Sequence, residues 1–426
     1  MKVFKFGGAS IKDYDSIQNV AFILEKFKGE KILMVISAMG KMTNALESVS
    51  EAFFEERQED ALRLFDKIKS AHLNLLKYLL VLQWEKATSA LNDFFTEVEW
   101  LLHDKPVKDY NYYYDQIVCS GELLSSTLIS FFLNEKKINN QWIDVRDILR
   151  TDDTFRDAKV DWKISKRNAA EKLLPLFEKN NLVIIQGFIG STDENESTTL
   201  GREGSDFTAG IFAELLDAES VTIWKDVNGI MNADPKDFKD AISIPELSYK
   251  EVIELAYYGA KVIHPKTIKP LQNRNIPLYV KSFFDIGLPG TVITEKQNHN
   301  LPPALVYKRN QALLTMQTID FSFAEGKPTQ YINEILGDLR IKPNLSQNAA
   351  ISLMICIDDI PEKTAQFAAK ASEIFEVQVQ RNLTLLTIMH YTPQYVSNLT
   401  DNREVVLEQK TRDTIRFLIK EDDSIN

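Results

Sequence analysis

Four stretches of this 426-residue chain carry residue types suited to negatively charged ligands. The first, Lys5-Phe6-Gly7-Gly8-Ala9-Ser10, closes a short apolar run. Paired glycines let backbone N–H groups approach an anion, a following helix N-terminus favours negative charge, and Lys5 adds a mobile cation. An ordinary glycine turn explains this stretch equally well by itself. The second joins Gln186-Gly187-Phe188-Ile189-Gly190 to Thr198-Thr199-Leu200-Gly201-Arg202-Glu203-Gly204-Ser205-Asp206. There Arg202 can grip a carboxylate with two parallel N–H groups, and Asp206 can serve the helix as N-cap or first-turn acid, orient a lysine, or both.

The third stretch, Trp224-Lys225-Asp226-Val227-Asn228-Gly229-Ile230-Met231, continues to Asp234-Pro235-Lys236. It follows an apolar strand, where an open parallel sheet binds its ligands, though the same residues also make a plain surface turn. The fourth, Tyr258-Gly259-Ala260-Lys261-Val262-Ile263-His264-Pro265, offers Lys261 to phosphates. His264 has no matching nucleophile and reads as a structural hydrogen-bonder. Glu122 stands within Ser120-Gly121-Glu122-Leu123-Leu124 on an apolar helix. A buried carboxylate is costly unless paired, so it caps something or receives a cation.

The elements that must position these residues follow from periodicity. Residues 3–6 and 32–36 read as strands, and 14–27 as a helix with apolar Ile17, Val20, Ala21, Leu24 and Phe27. That is a βαβ unit of a parallel sheet. Residues 43–134 are almost wholly helical in pattern, a long insertion broken only at Pro106. Strands at 182–185, 221–224 and 278–280, with helices at 206–216 and 249–258, complete an α/β domain over 1–294. A looser stretch with Pro302-Pro303 marks the boundary. Beyond it, 304–426 alternates strands (312–317, 351–357, 384–389, 414–419) with helices (331–339, 363–374), as an α+β module does. The phrases Arg309-Asn310-Gln311-Ala312-Leu313-Leu314-Thr315 and Arg381-Asn382-Leu383-Thr384-Leu385-Leu386-Thr387 suggest an internal duplication whose second copy is shortened.

Composition narrows the function. With 44% hydrophobic and 26% charged residues the chain reads as globular, and a net charge of −11 disfavours nucleic acid or a membrane surface as partner. Lys5 interrupts what would be a signal peptide's apolar core, and no run reads as a membrane span. Cys119 and Cys356 sit in apolar runs, as buried free thiols of a reducing compartment do. The expected location is the cytoplasm.

Taken together the motifs resemble the aspartate kinases of the amino-acid kinase family. The match comprises Lys-Phe-Gly-Gly-x-Ser, Ser37-Ala38-Met39-Gly40 with Thr43-Asn44, Gly121-Glu122, Gln-Gly-Phe-Ile-Gly, Thr-Thr-Leu-Gly-Arg-x-Gly-Ser-Asp, Trp-x-Asp-Val-x-Gly-Ile and Gly-Ala-Lys-Val-x-His-Pro, in that order. It spans residues 2–294 and extends more weakly into a tail that looks like tandem ACT modules. The resemblance implies transfer of the γ-phosphate of Mg-ATP to the side chain of L-aspartate, opening biosynthesis of lysine, threonine and methionine. It implies catalytic roles for Lys5 and Asp206, and acceptor contacts from Ser37, Thr43, Glu122, Arg202, Gly204 and Ser205. For the nucleotide it implies Lys5, Gly7, Gly8, Ser10, Lys225, Asp226, Met231, Lys236, Lys261 and Val262; no residue is assigned to a metal.

The chemistry agrees. A carboxylate acceptor is already ionised at neutral pH, with a reference pKa of about 3.9, so no general base is required. No Gly-x-x-x-x-Gly-Lys-Ser/Thr phosphate loop occurs. Two departures concern the nucleotide: Met231 stands where an aromatic residue is usual and Lys236 where arginine is. In the tail, Asn344 and Ala350 replace acids in the stretch that binds lysine in feedback-inhibited relatives, so lysine feedback is expected to be weak. The second ACT-like module is expected to lack a helix between residues 389 and 414. The expected enzyme is monofunctional, without a homoserine dehydrogenase domain; a homodimer is the default assembly, and an amino-acid effector is the expected ligand of the tail. Two other readings are a sister kinase for another small acid and a non-catalytic amino-acid sensor.

Overall fold

In a computed structural model the protein is described over residues 1–260, 262–297, 301–320, 322–401 and 403–420. The chain forms two compact units. Unit one comprises Met1–Ile230, Ser243–Ala256 and Lys261–His299; unit two comprises Met231–Ile242, Tyr257–Ala260 and Asn300–Asn426.

The first unit opens with β1 (Lys2–Phe6), helix α1 (Tyr14–Lys26) and β2 (Ile32–Ile36). Asp13 caps α1 by accepting the Ser16 N–H at 2.9 Å. All five residues of β2 are buried, as a central parallel strand requires. The helical insertion follows as α2 (Met42–Phe54), α3 (Gln58–Leu79), α4 (Trp84–His103), α5 (Tyr110–Val118) and α6 (Ser120–Glu135). The run Tyr110–Glu135 is long and apolar enough to cross a membrane by composition, but 89% of its apolar window is buried inside the protein. Helix α6 belongs to the core; its long apolar face meets the sheet.

Then come β3 (Gln141–Trp142), α7 (Trp162–Asn168), β4 (Leu182–Gln186), the hairpin β5 (Ile189–Ser191) and β6 (Ser197–Thr199), α8 (Gly204–Leu215) and β7 (Ser220–Lys225). The unit closes with β8 (Glu246–Ser248), α9 (Tyr249–Tyr258), α10 (Pro265–Arg274), β9 (Leu278–Ser282) and β10 (Thr291–Thr294). Eight strands make one sheet in the order β3-β4-β2-β1-β7-β9-β10-β8. It is parallel except for the β9–β10 pair. Lys5 therefore stands level with Val35 on one side and Ile223 on the other, so the loops after β1, β2 and β7 leave the sheet together. Phe4, Phe6, Phe27 and Trp224 pack edge-on or stacked beneath them and fix the strand ends.

The second unit carries β11 (Ala304–Thr318), α11 (Lys327–Asp338), β12 (Leu345–Asn348), β13 (Ser352–Asp358), α12 (Pro361–Ala371), β14 (Phe375–Met389), α13 (Pro393–Thr400), β15 (Val405–Lys410) and β16 (Thr414–Lys420). Its six-stranded sheet runs β12-β13-β11-β14-β16-β15, antiparallel throughout. The two repeated phrases fall on its two 15-residue strands, β11 and β14, which pair with each other. Each places an asparagine in the left-handed region, Asn310 at φ +55° and Asn382 at φ +56°, where the β11–β14 register shifts. Cys119 and Cys356 are free and buried.

One expectation is corrected. The second repeat does not lack its helix: α13 fills the interval, followed by β15. Thr392 caps it through the Tyr395 N–H at 3.3 Å, and Pro393 takes its first turn, the start signals of a helix only eight residues long. Helix α8 begins at Gly204, so of the two local places open to Asp206, cap or first-turn acid, it takes the second.

Candidate active site

A cleft of about 540 Å³ lies at the carboxyl ends of β1, β2 and β7, within the first unit. Lys5, Gly8, Ser37, Thr43, Glu122, Arg202, Gly204, Ser205, Asp206 and Lys225 line it, bringing both expected catalytic residues together with all six expected acceptor contacts. Its size suits a small molecule.

Asp206 is its electrostatic centre. The carboxylate is buried, with Lys5 Nζ 2.6 Å from Oδ1 and Lys225 Nζ 3.7 Å from Oδ2. Burial alone would raise its pKa, yet the two lysines hold it below the usual carboxylate range. The ionised acid thus fixes two ammonium groups in the cleft. Lys225 also donates to the Val262 carbonyl at 2.6 Å.

Glu122 has the opposite situation. It is 2% exposed on α6; Oε1 accepts the Ala38 N–H at 3.1 Å, and Oε2 is buried without a partner. Burial pushes its pKa up to about 8, opposed by the Ala38 N–H and by Lys5. One turn on, Ser125 Oγ donates to the Ser37 carbonyl at 2.7 Å. Helix α6 therefore holds the loop after β2 at two successive residues. Gly8 makes the same loop possible from the other side, because a Cβ there would lie 2.7 Å from the carbonyl oxygens of Ala38 and Gly40.

Sequence reasoning passed over Tyr114, Asp115 and Arg156 and gave no role to Phe188, Thr199 or Glu203. All except Asp115 line the cleft. Asp115, fully buried behind them, accepts the Thr199 N–H (2.8 Å), the Thr199 hydroxyl (2.7 Å) and the Arg156 N–H (3.0 Å). Its pKa is raised to about 6 by burial, against those hydrogen bonds. A lone acid in an apolar helix was the available signal, the same one that singled out Glu122. Arg156, Phe188 and Glu203 all adopt left-handed backbone, at φ +69°, +70° and +56°. Such costly conformations in non-glycine residues gather at functional sites. Glu203 Oε2 is buried without a partner.

Other expected contacts stand outside the cleft lining. Gly7 and Ser10 belong to the tight turn after β1, where the Ser10 N–H meets the Gly7 carbonyl at 2.9 Å. Asp226 is exposed after β7, and Val262 is the carbonyl partner of Lys225. Met231 and Lys236 belong to the second unit, and Lys261 lies outside the described residues. His264 caps α10 by accepting the Lys266 N–H on Nδ1 at 3.1 Å, and burial lowers its pKa. It serves the helix, as its sequence context suggested.

Residues 1–282 match the amino acid kinase family. The chain is 33% identical over 398 residues to lysine-sensitive aspartokinase 3 of Escherichia coli, covering 91% of this chain and 86% of that protein. It is 30% identical over 400 residues to the aspartokinase of Chlamydia trachomatis, with the same coverages. The crystal structure of E. coli aspartokinase III with aspartate and ADP superposes with a TM-score of 0.80 at 30% identity, over 99% of this chain and 96% of that one.

Proposed function

The chain belongs to the aspartate kinases of the amino acid kinase family, and we propose that its cleft carries the γ-phosphoryl group of ATP to the side-chain carboxylate of L-aspartate. It is an ATP-dependent kinase; its products are ADP and 4-phospho-L-aspartate. One observation carries the site assignment. The same cleft holds two lysines fixed on a buried carboxylate and a second buried carboxylate, Glu122, with one oxygen unmet. The first group suits a transferring phosphoryl, the second an α-ammonium.

The barrier to this reaction is repulsion between an anionic nucleophile and an anionic triphosphate. A cation about 4 Å away relieves such repulsion by roughly 4 kcal/mol at an effective dielectric of about 20. Lys5 and Lys225 supply two, and Asp206 keeps them from drifting or repelling each other. Arg202 grips the acceptor, and Glu122 takes its ammonium. Ser37, Thr43, Gly204 and Ser205 line the space between. With the acceptor carboxylate already ionised, positioning and charge do the catalysis.

Magnesium enters with the nucleotide in this reading. Mg²⁺ keeps several waters and needs only one or two protein carboxylates beside the phosphates. With Glu122 assigned to the ammonium, Glu203, with its buried unmet oxygen, and Asp206 are the remaining lining acids that would hold it. When bound, the ion neutralises phosphate charge. Lys225, Asp226, Met231, Lys236, Lys261 and Val262, with the β1 turn at Gly7, Gly8 and Ser10, are assigned to ATP on the motifs of the family. The region 304–426 is read as paired ACT-like modules that receive an amino-acid effector, and the working form as a cytoplasmic homodimer.

The test is initial-rate kinetics with Mg-ATP and L-aspartate, trapping the acyl phosphate with hydroxylamine. Glutamate and N-acetylglutamate serve as rival acceptors. Product from aspartate alone is expected; a preference for either rival moves the enzyme to a sister activity, and none from any acceptor makes it a sensor.

A further inference from the structure

Arg156 belongs to no motif, yet it lines the cleft as a further cation beside Lys5, Lys225 and Arg202. We propose that Arg156 joins Arg202 in holding the carboxylate of the acceptor that does not react, and so sets the demand for a dicarboxylic amino acid. This rests on the reading of the cleft as the acceptor site.

Three observations carry it. First, the backbone at Arg156 is left-handed, φ +69°, a conformation glycine or asparagine adopts more cheaply than arginine. An arginine there needs a reason in its side chain. Second, the protein invests buried structure in holding it: Asp115 accepts its N–H at 3.0 Å and clamps Thr199, another lining residue, with the same carboxylate. Third, the guanidinium is steadied and not consumed. It lies over the Tyr114 ring at 4.3 Å and nearer the edge of contact with Tyr110 at 5.6 Å, and its ion partner among the described residues is Glu47 at a loose 3.8 Å. With 41% of the side chain exposed, its N–H groups remain open to a ligand.

Charge matching gives the ligand. Lys5 and Lys225 are held on Asp206 for the phosphoryl group, and Glu122 answers the ammonium. Of the cations lining the cleft, Arg156 and Arg202 are then left for the acceptor's carboxylates. Stacked guanidinium planes present paired N–H groups in the geometry a carboxylate accepts.

The experiment compares L-aspartate with its α-carboxamide, L-isoasparagine, which keeps the reacting side chain and loses only the α-carboxylate. Wild type, Arg156→Gln, Arg156→Gly and Arg202→Gln are assayed by acyl-phosphate trapping, with thermal melts alongside. Arg156→Gly relieves the left-handed strain, so a purely structural residue would gain stability there and keep its kinetics. The proposal expects KM for aspartate to rise about 10- to 100-fold in both Arg156 variants, the worth of a charge-assisted hydrogen bond. It also expects kcat and KM for ATP to hold, and the preference for aspartate over the amide to shrink. Unchanged KM for aspartate in Arg156→Gly, or equal losses on both acceptors, overturns it while a raised KM in Arg202→Gln leaves the acceptor site standing. If neither arginine matters, the acceptor reading falls and the proposal with it.

Discussion

Lys5 Nζ sits 2.6 Å from Asp206 Oδ1 across two elements, the end of β1 and the first turn of α8, the acid buried and the lysine nearly so. Each residue keeps the other in a usable state: the acid stays ionised because of the lysine, and the lysine stays in place because of the acid. Removing either group should therefore cost turnover more than folding. Lys5→Ala or Asp206→Asn is expected to lower kcat by about 10²–10³-fold, the usual loss for one preorganised charge. Lys5→Ala leaves Asp206 with only Lys225 at 3.7 Å, so a modest fall in melting temperature should accompany it. Near-wild-type kcat in either variant would mean that the phosphoryl group is held elsewhere.

Glu122 predicts a proton count. Burial pushes its carboxyl up to about 8, which keeps it largely protonated at neutral pH until a cation pairs with it. An arriving α-ammonium pairs with the ionised form. Aspartate binding near pH 7 should therefore release a proton, visible as a calorimetric heat that varies with the ionisation enthalpy of the buffer, and KM for aspartate should fall as pH rises towards 8. Stability runs the other way. Because the folded pKa exceeds the unfolded one of about 4.5, the fold binds the proton more tightly and loses stability as pH rises between those values. Glu122→Gln should then melt a few degrees higher than wild type at pH 8 to 9, with the difference shrinking towards pH 5. A buffer-independent binding heat contradicts this account.

Much of this site was legible because its residues sit where strands end. Short buried strands and glycine turns are local signals, and Lys5, Lys225, Gly8, Arg202 and Asp206 follow from them. What escaped was held by distant contacts. Arg156 reaches the cleft through Asp115, 41 positions earlier, and no local pattern reports that bond. Likewise α13 is only eight residues long, and Tyr395, Val396 and Leu399, half-buried against the second unit's core, make too short a stripe to show a helical period. The long strands β11 and β14 were read at half length because each passes through a left-handed asparagine, a turn signal in the middle of the run.

The second unit predicts weak response to lysine. Asn344, where acidic chemistry would greet an ammonium, is already occupied: its Oδ1 accepts from Lys308 Nζ at 2.7 Å, and its Nδ2 donates to Gln311 Oε1 at 2.6 Å and Asp358 Oδ1 at 2.9 Å. Lys308 also pairs with Asp358 at 2.9 Å. The chain's own lysine thus satisfies these groups from within. Added lysine at millimolar levels should leave the rate with aspartate nearly unchanged, while threonine and methionine are tested in parallel. Half-inhibition at sub-millimolar lysine would show that the network opens to an effector.

Asp115 predicts an acid limit on substrate affinity. Burial lifts its pKa to about 6, well above the substrate's own carboxylate at about 3.9. Above pH 6 the ionised group accepts three hydrogen bonds, two from Thr199 and one from Arg156. Protonation removes acceptor capacity just where three donors converge, and both lining residues loosen. KM for aspartate should accordingly climb as pH falls through 6, with kcat less affected and KM for ATP flat. Asp115→Asn, which sets an amide N–H₂ against those donors, should raise KM for aspartate severalfold at pH 7.5 and flatten the acid limb. An unchanged limb in that variant would assign the titration to another group and leave Asp115 as packing alone.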